Sequence, residues 1–299
     1  MTRSNVRTLC FAGLLLSVAI RPTSVAGQAA ASPVPSPSST PGPPQIAFPG
    51  QYAAAPAEWR YPVYLSGCRR LSGEERIACV EFVASDHGRL ARYQAANAAL
   101  GPKKSGETRV VFLGDSITDN WSKAGYGGFF PGKPYVNRGI GGQTTSQMLV
   151  RFRADVLDLD PDVVVILAGT NDVAANNGNV SDEDLQRNFM TMAELARAHG
   201  VRLVLASILP VADDKRGPDG QPLVRTEARP PARLRALNAW MADYARRSGH
   251  VYLDYASAAA AGTFKADLNG DGLHPNAAGY AVMAPLAEKA IAEAMRGRP

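Results

Sequence analysis

From about residue 106 onward, short apolar runs alternate with segments of helical periodicity. The clearest run, at residues 162–168, reads DVVVILA. Its length and its β-branched residues favour a strand that is buried on both faces. Further strands are predicted at 109–113, 135–137, 201–208 and 250–254, and helices at 144–159, 181–199, around 234–244 and at 276–295. This alternation indicates an α/β domain with a mostly parallel sheet and helices on both of its faces.

Three of the predicted helices each carry one apolar face. The faces comprise Leu149, Phe152, Val156 and Leu159 in the first helix, Leu185, Phe189, Met192 and Ala196 in the second, and Leu234, Leu237, Met241 and Tyr244 in the third. Ser181 is placed to cap the second helix, and Gly200 to end it. We expect these faces to pack against the sheet.

The amino terminus has the pattern of an export signal. Arg3 and Arg7 precede an apolar run from residue 9 to residue 20, and Ser24-Val25-Ala26 offers small residues for cleavage. Because a membrane span needs about 20 residues, we interpret residues 1–26 as a cleaved secretory signal peptide. An uncleaved anchor is the alternative. The sequence therefore predicts a secreted or periplasmic protein, with no stable membrane span after signal cleavage.

Two segments separate this signal from the α/β domain. Residues 27–50 consist largely of Ala, Ser, Pro and Gly, which predicts a disordered linker because few apolar side chains are present to bury. Residues 51–105 are interpreted as a helical extension, and residues 106–299 as the main domain. Within the extension, residues 72–100 place Val80, Val83, Leu90 and Tyr93 near one helical face, and Gly88 can divide that helix in two.

Cysteine usage fits an exported protein. Cys10 precedes most of the apolar run, so it does not lie where a lipoprotein cysteine would. Cleavage of the signal leaves Cys68 and Cys79, which predict a disulfide in an oxidising compartment. Two free buried thiols are the alternative. No histidine partner lies near this pair, so a zinc site is disfavoured.

Charge argues against a nucleic-acid-binding protein. The formal net charge of +5 includes Arg3, Arg7 and Arg21, and without residues 1–26 the chain holds 29 basic and 27 acidic side chains. No basic stripe interleaved with aromatic residues is evident in the sequence. We therefore expect no nucleic-acid partner.

Polar residues suited to acyl transfer follow the predicted strands. Gly114-Asp-Ser116 ends the first strand, the glycine-rich segment 137–145 follows the second, and Ala168-Gly-Thr-Asn171-Asp172 follows the third. The segment 267–276 contains Asp271 and His274. Because sites in α/β sheets gather at the carboxyl ends of parallel strands, these blocks predict one shared site. Ser116 alone is as consistent with a helix cap as with a nucleophile.

The residue types suggest specific roles. A serine hydroxyl needs a base to remove its proton during attack, and His274 is the candidate base. Asp271, three residues earlier, can orient His274 and stabilise its imidazolium form. The backbone N–H groups of Ser116 and Gly142 and the amide of Asn171 are candidate donors to an oxyanion, each worth about 3–4 kcal/mol in the transition state.

These blocks resemble the SGNH hydrolases, also known as the GDSL esterase/lipase superfamily. The residues that define the family correspond to Ser116, Gly142, Asn171 and His274, with Asp271 in the acid position of the triad. All blocks occur in the family's order over roughly residues 107–296, and no catalytic position departs from the pattern.

The resemblance implies a three-layer α/β/α sandwich around a five-stranded parallel sheet, as in flavodoxin-like folds, with an open, shallow site. It also implies hydrolysis of esters or thioesters without a metal or other cofactor. We expect a serine esterase for short acyl esters, such as acetyl groups on carbohydrate, with a small molecule or a polysaccharide as substrate. A lysophospholipase or thioesterase is one alternative, and a non-catalytic carbohydrate-binding module of the same fold is another.

Several other residues are candidates for lesser roles. Trp121 and Tyr126 lie just beyond Ser116 and could contact substrate or simply pack. Asp115 and Asp172 are expected to hold loops by hydrogen bonds. The segment beginning at Asp267 matches half of an EF-hand calcium loop, but its twelfth position is Ala278, where a bidentate glutamate is needed. His87, His199 and His250 are interpreted as surface or element-end residues.

Overall fold

Five parallel strands form the central sheet of the computed structural model, which describes residues 64–261 and 263–296. The strands are β1 (Val110–Gly114), β2 (Tyr135–Gly139), β3 (Val163–Leu167), β4 (Arg202–Ala206) and β5 (Val251–Leu253), in the order β2-β1-β3-β4-β5. Both β1 and β3 are buried along their whole length, as their apolar sequences predict. Because Gly114 pairs with Gly139 and with Leu167, the carboxyl ends of β1, β2 and β3 are level with one another.

Helices surround this sheet. They are α1 (Leu65–Cys68), α2 (Gly73–Ser85), α3 (Gln94–Leu100), α4 (Ser116–Trp121), α5 (Thr145–Asp155), α6 (Thr170–Val173), α7 (Asp182–Ala198), α8 (Pro231–Ser248), α9 (Tyr255–Ala259) and α10 (Ala277–Arg296). Short 3₁₀ turns occur at Leu90–Arg92 and Leu157–Leu159, and a small antiparallel hairpin pairs β6 (Ala260–Ala261) with β7 (Thr263–Phe264).

Each face of the sheet has its own apolar core. One core packs side chains of α5, α7 and α8 against the sheet, with Phe152, Phe189 and Met241 fully buried. The other packs α4, α9 and α10 against the opposite face and includes Tyr255 and Tyr280. Replacing a fully buried phenylalanine by alanine typically costs about 3–5 kcal/mol. The two cores confirm the three-layer α/β/α architecture.

The faces predicted for α7 and α8 are confirmed, because every residue named for them is buried. The Ser181 hydroxyl caps α7 by accepting a hydrogen bond from the backbone N–H of Asp184 at 3.0 Å. The helix predicted over 144–159 is shorter, since α5 ends at Asp155 and a 3₁₀ turn follows. Asp160, which follows that turn and leads to β3, has a left-handed backbone conformation.

The N-terminal extension is helical, and the disulfide between Cys68 and Cys79 is present. Its predicted apolar face is partly wrong, because Val80 and Leu90 are exposed. Val83 is buried as predicted, together with the disulfide-bonded Cys79 one turn earlier. The helix does end before Gly88, where a Cβ atom would lie 2.7 Å from Cγ1 of Val150.

The predicted signal peptide (1–26) and linker (27–50), and the start of the extension up to residue 63, lie outside the described residues. Within residues 64–261 and 263–296, no helix is both long enough and apolar enough to cross a membrane.

Candidate active site

Ser116 occupies the first position of α4, directly after β1. The turn between them requires glycine at 114, because a Cβ atom there would lie 2.1 Å from Oγ1 of Thr118 and 2.9 Å from the carbonyl oxygen of Leu167. The helix cap is Asp115, whose Oδ1 accepts a hydrogen bond from the backbone N–H of Ile117 at 2.9 Å. The reading of Ser116 as a cap is therefore wrong. Its hydroxyl is left free to face another element of the fold.

That element is the loop before α10, which brings His274 to the serine. Nε2 of His274 lies 2.8 Å from Oγ of Ser116, and Nδ1 lies 3.0 Å from Oδ2 of Asp271. Oδ1 of Asp271 accepts hydrogen bonds from the backbone N–H groups of Leu273 at 3.0 Å and of His274 at 2.8 Å. The tight turn thus holds the carboxylate against the imidazole by both main-chain and side-chain contacts.

Asp271 remains ionised in this setting. Burial acts to raise the pKa of its carboxyl group, but the hydrogen bonds and positive charge of His274, with the N–H of Leu273, hold that pKa below its usual range. Arg225 also contacts this residue, through Nη2 to Oδ2 at 3.1 Å and through Nε to the carbonyl oxygen at 3.1 Å. A charged acceptor in this position can fix the orientation of His274.

The glycine-rich loop after β2 passes beside the serine. A Cβ atom at Gly141 would lie 3.6 Å from Cβ of Ser116, and one at Gly139 would lie 2.1 Å from the backbone nitrogen of Asp119. Gly142 has a φ of +80°, which favours glycine, and its carbonyl oxygen accepts a hydrogen bond from Nδ2 of Asn176 at 3.0 Å. The loop therefore needs glycine at 139 for its close approach to α4 and glycine at 142 for its backbone conformation.

Asn171 lies in α6, immediately after β3, and is 3% exposed. Its Nδ2 donates to the carbonyl oxygen of Gln143 at 3.0 Å, and its Oδ1 accepts from Nη2 of Arg229 at 3.4 Å. Arginine has donors and no acceptor, so Arg229 fixes which end of the amide is oxygen. Nδ2 then faces the glycine-rich loop and keeps a second N–H.

Arg229 itself is 8% exposed and is anchored by its Nε, which donates to Oγ1 of Thr170 at 3.0 Å. Burial and the charge of Arg225 lower the pKa of Arg229, whereas Asp115 and other neighbouring groups raise it. These contacts place a buried positive charge at the carboxyl end of β3, next to Asn171.

Two carboxyl groups are buried near the site: Asp172 holds two loops together, as predicted, whereas the hydrogen bond of Asp115 is local, to Ile117. Asp172 accepts hydrogen bonds from the backbone N–H of Thr145, at 3.0 Å to each of its oxygens, and from the Thr145 hydroxyl at 2.6 Å. Burial raises the pKa of Asp172 to about 6 and that of Asp115 to about 6. Oδ2 of Asp115 is buried without a hydrogen-bond partner among the described residues.

Trp121 and Tyr126, the predicted substrate contacts, line a cavity of about 290 Å³ between the loop after α4 and the surface of α10. Trp121 is 3% exposed, and its ring packs on Phe130 and Tyr280 with centroids 5.0 and 4.9 Å away. Ser116 is not among the residues that line this cavity. Contact of either ring with substrate stays a prediction.

The segment beginning at Asp267, which resembles half of a calcium loop, uses its side chains in hydrogen bonds within the protein. Both oxygens of Asp271 are engaged as described above, and Oδ1 of Asn269 accepts a hydrogen bond from the backbone N–H of Gly272 at 2.8 Å. Across the described ranges, no group of three or more His, Cys, Asp or Glu side chains is arranged to hold a metal ion. His199 is exposed at the end of α7, and His87 and His250 are partly exposed outside the helices and strands.

Sequence reasoning missed Arg225 and Arg229. Both come from the proline-rich connection between β4 and α8, which has no periodicity to predict where its side chains point. The available signal was two arginines in a long loop at the carboxyl edge of the sheet, where sites gather.

A model of the GDSL-like lipase/acylhydrolase family matches residues 112–282. Among solved structures, a GDSL-like lipase from Bacteroides thetaiotaomicron is 37% identical in sequence with a TM-score of 0.63, covering 69% of this chain and 98% of that one. A candidate acylhydrolase from Bacteroides fragilis has the same identity and TM-score, covering 70% of this chain and 98% of that one.

Among curated proteins, the uncharacterized lipoprotein YqeF of Bacillus subtilis (strain 168) is 37% identical over 81 residues. The aligned segment is 26% of this chain, and the chain spans 33% of the length of that relative.

Proposed function

This chain belongs to the GDSL-like lipase/acylhydrolase family of serine ester hydrolases, and we propose that it hydrolyses carboxylic esters with Ser116 as nucleophile, His274 as base and Asp271 as the residue that orients His274. The observation that carries this proposal is the continuous series of contacts from Oγ of Ser116 to Nε2 of His274 and from Nδ1 to Oδ2 of Asp271. In such a series the base can accept the serine proton while the acid stabilises the imidazolium.

In the first half-reaction, Oγ of Ser116 attacks the ester carbonyl carbon while Nε2 of His274 accepts the hydroxyl proton. The carbonyl π-bond electrons move to the oxygen and give a tetrahedral oxyanion. When that intermediate collapses, the C–O bond to the alcohol breaks and His274 gives its proton to the departing oxygen. The product is an acyl group esterified to Ser116 and a free alcohol.

The developing oxyanion is stabilised by fixed donors. We assign this role to the backbone N–H groups of Ser116 and Gly142 and to Nδ2 of Asn171. The N–H of Ser116 belongs to the first turn of α4, where no intrahelical acceptor exists. Nδ2 of Asn171 donates one hydrogen to the carbonyl oxygen of Gln143 and carries a second N–H that can donate to the oxyanion. Donors of this kind act where charge appears and need no reorganisation during the reaction.

Water completes the reaction in the second half. His274 accepts a proton from a water molecule, whose oxygen attacks the acyl carbon. The second tetrahedral intermediate releases Oγ of Ser116, which regains its proton from His274. The carboxylic acid leaves, and no cofactor enters the balance.

Short acyl groups, such as acetyl groups on carbohydrate, are the substrates we propose. Two charged side chains contact these residues, Arg225 on Asp271 and Arg229 on Asn171. A long alkyl chain gains affinity mainly by leaving water for apolar surface, at about 0.8 kcal/mol per methylene group. A polar surrounding offers less of that gain and suits a small acyl group on a hydrophilic alcohol.

Export is part of the proposal. The charged and apolar pattern of residues 1–26 and the Cys68–Cys79 disulfide both suit an oxidising compartment. The lipoprotein name of the Bacillus subtilis relative is consistent with an extracytoplasmic location.

The test is hydrolysis of p-nitrophenyl acetate and of an acetylated oligosaccharide by the purified protein and by Ser116→Ala. We expect the variant to lose at least about 10³-fold in kcat, as removal of a triad member does. Ser85→Ala removes an exposed hydroxyl of α2 and is the matched control, expected to keep the parent rate. Equal rates for Ser116→Ala and the parent would exclude Ser116 as nucleophile.

A further inference from the structure

The N-terminal extension reaches the glycine-rich loop beside the serine. The hydroxyl of Tyr93 donates a hydrogen bond to the carbonyl oxygen of Gly139, and Nε2 of Gln143 donates to the carbonyl oxygen of Gly88 at 3.0 Å. Between these points, the ring of Tyr64 lies directly on Gly142. A Cβ atom at Gly142 would lie 2.2 Å from Cδ1 and 2.4 Å from Cε1 of Tyr64.

Long-range hydrogen bonds from the two residues that follow Tyr64 hold it in this place. The next two residues donate backbone hydrogen bonds to the loop after α6, from Leu65 to Oδ1 of Asn177 at 3.0 Å and from Ser66 to the carbonyl oxygen of Asn176 at 2.8 Å. Asn176 in turn donates to the carbonyl oxygen of Gly142 at 3.0 Å. The segment that carries the Tyr64 ring and the glycine-rich loop that the ring covers are therefore both bonded to the loop after α6.

The disulfide fixes α1 from its other end. Cys68 is the last residue of α1, and its bond to Cys79 ties this short helix to α2. Both cysteines are fully buried. A four-residue helix is too short to be stable alone, so this covalent tie helps to keep Tyr64 in place.

Tyr64 is partly exposed, and the loop that it covers also contacts Asn171. Nδ2 of Asn171 donates to the carbonyl oxygen of Gln143 at 3.0 Å, and Gln143 directly follows Gly142, on which the Tyr64 ring packs. Arg229 contacts the amide of Asn171. The Tyr64 ring therefore lies on one assigned oxyanion donor, Gly142, and another, Asn171, bonds to the next residue of the same loop.

The chemistry of the reaction decides which part of an ester would meet this ring. His274 must protonate the departing oxygen, so the alcohol portion lies on the His274 side of the carbonyl. The acyl substituent points away from His274. The ring of Tyr64 packs on Gly142, in the glycine-rich loop.

We propose that Tyr64 is a specificity-determining residue that forms the wall of the acyl subsite and restricts the length of the acyl group. This inference rests on the proposed esterase function. An aromatic ring with two side-chain torsions, packed against a fixed loop, resists displacement and so excludes larger groups at little entropic cost. The extension thereby contributes a substrate contact to the site.

The test compares kcat/KM for p-nitrophenyl acetate, butyrate, hexanoate and octanoate in the parent protein, Tyr64→Ala and Tyr64→Phe. We expect Tyr64→Ala to raise the ratio of the hexanoate value to the acetate value at least about fivefold. Tyr64→Phe keeps the ring and should leave that ratio within about twofold of the parent. Ile77→Ala, at a site on α2 that is 60% exposed, is the control within the extension and should also leave it unchanged.

A second series keeps the acetyl group and varies the alcohol among methyl, ethyl and p-nitrophenyl. The ratios in this series should stay within about twofold in Tyr64→Ala. If only the alcohol series responds, or if all esters slow in parallel, the acyl-wall assignment is overturned. If Tyr64→Ala does not fold by circular dichroism, Tyr64→Leu takes its place with the same expected direction.

Ser116→Ala separates this inference from the proposed function. If Ser116→Ala is inactive and the acyl ratio does not respond to either Tyr64 variant, only the role of Tyr64 is overturned. If Ser116→Ala keeps the parent activity, the serine mechanism fails and the acyl-subsite assignment fails with it.

Discussion

Arg225 donates a hydrogen bond from Nη2 to Oδ2 of Asp271 at 3.1 Å, and this is the same oxygen that faces Nδ1 of His274. A second bond joins Nε of Arg225 to the carbonyl oxygen of Asp271 at 3.1 Å. The guanidinium therefore contacts both the side chain and the main chain of Asp271, the residue that we assign to orient His274. Its planar fork suits such a paired contact better than an ammonium group would.

Replacing Arg225 by glutamine should lower kcat for p-nitrophenyl acetate about 3- to 10-fold with little change in KM. The reason is that Asp271 loses a charged partner that fixes its orientation, and hydrogen bonds to charged groups are worth about 1.5–3 kcal/mol before solvent exposure is discounted. Arg216→Gln is the matched control on the same connection, where Nη1 of the arginine donates to the carbonyl oxygen of Gly220 at 3.0 Å, away from Asp271 in sequence and partner. A kcat within twofold of the parent for Arg225→Gln would contradict this role.

Replacing Asn171 by alanine should lower kcat by about 10²–10³-fold while KM changes little, because an oxyanion donor acts mainly in the transition state. Steady-state kinetics on p-nitrophenyl acetate measures both constants. Asn238→Ala is the control amide, since both of its hydrogen bonds go to the backbone of Ile208. That variant should lose stability and keep its kcat. A loss below about threefold for Asn171→Ala would remove the amide from the oxyanion site.

Replacing Arg229 by methionine should lower kcat about 10-fold, because the amide of Asn171 loses the partner that sets its orientation. The decisive measurement is the double variant. If Arg229 acts through Asn171, the methionine substitution should have little further effect in the Asn171→Ala background. If the loss of kcat in the double variant instead equals the product of the two single-variant losses, Arg229 acts independently of that amide.

Replacing Asp115 by asparagine should change how stability depends on pH. Burial raises the pKa of Asp115 to about 6 in the folded protein, with opposing contributions from its bond to Ile117 and from His274 and Arg229. An aspartate with a raised pKa contributes stability that is fully present below its unfolded pKa of about 4 and is lost as the pH rises through about 6.

Asparagine stays neutral and can still cap α4, so it does not suffer this loss. The unfolding free energy of Asp115→Asn minus that of the parent should grow by about 2–3 kcal/mol between pH 4 and pH 7. Urea titrations at pH 4, 5, 6 and 7 measure this difference. A difference that is constant over that range would contradict a raised pKa at Asp115. Asp243→Asn, at an exposed carboxylate paired with Arg246 and Arg247, serves as the surface control.

Replacing Cys68 and Cys79 together by serine should lower the unfolding free energy by about 2–3 kcal/mol, because the unfolded chain is no longer restricted by the short loop between them. Urea unfolding of the parent and of the double variant gives this value. Dithiothreitol should bring the parent to the level of the double variant and leave the latter unchanged. A reductant effect of equal size on both proteins would exclude the disulfide as its cause.

Much of the fold was predictable from local sequence. The strand at 162–168 and the apolar faces of α7 and α8 are dictated by side-chain periodicity, which depends only on neighbours in the chain. The incorrect predictions have the same origin, because periodicity takes no account of contacts between distant residues. Val80 and Leu90 fit a helical face, yet they are exposed, because α2 buries Cys79 and Val83 and ends at Ser85, and Leu90 belongs to a separate 3₁₀ turn. Likewise, Asp115 and not Ser116 caps α4, a choice made by the geometry of the turn after Gly114.

The amino-acid sequence by itself determined the α/β architecture and the candidate residues Ser116, Gly142, Asn171, Asp271 and His274, because strand and turn signals are local and place the first three at strand ends and the last two in the closing loop. Only the tertiary structure decided how these residues meet. Ser116 and His274 are 158 positions apart, and their 2.8 Å contact depends on the packing of α10 against the sheet. The tertiary structure also decided where three further side chains lie, those of Arg225, Arg229 and Tyr64. They belong to irregular segments, which carry no periodicity, so long-range contacts direct them.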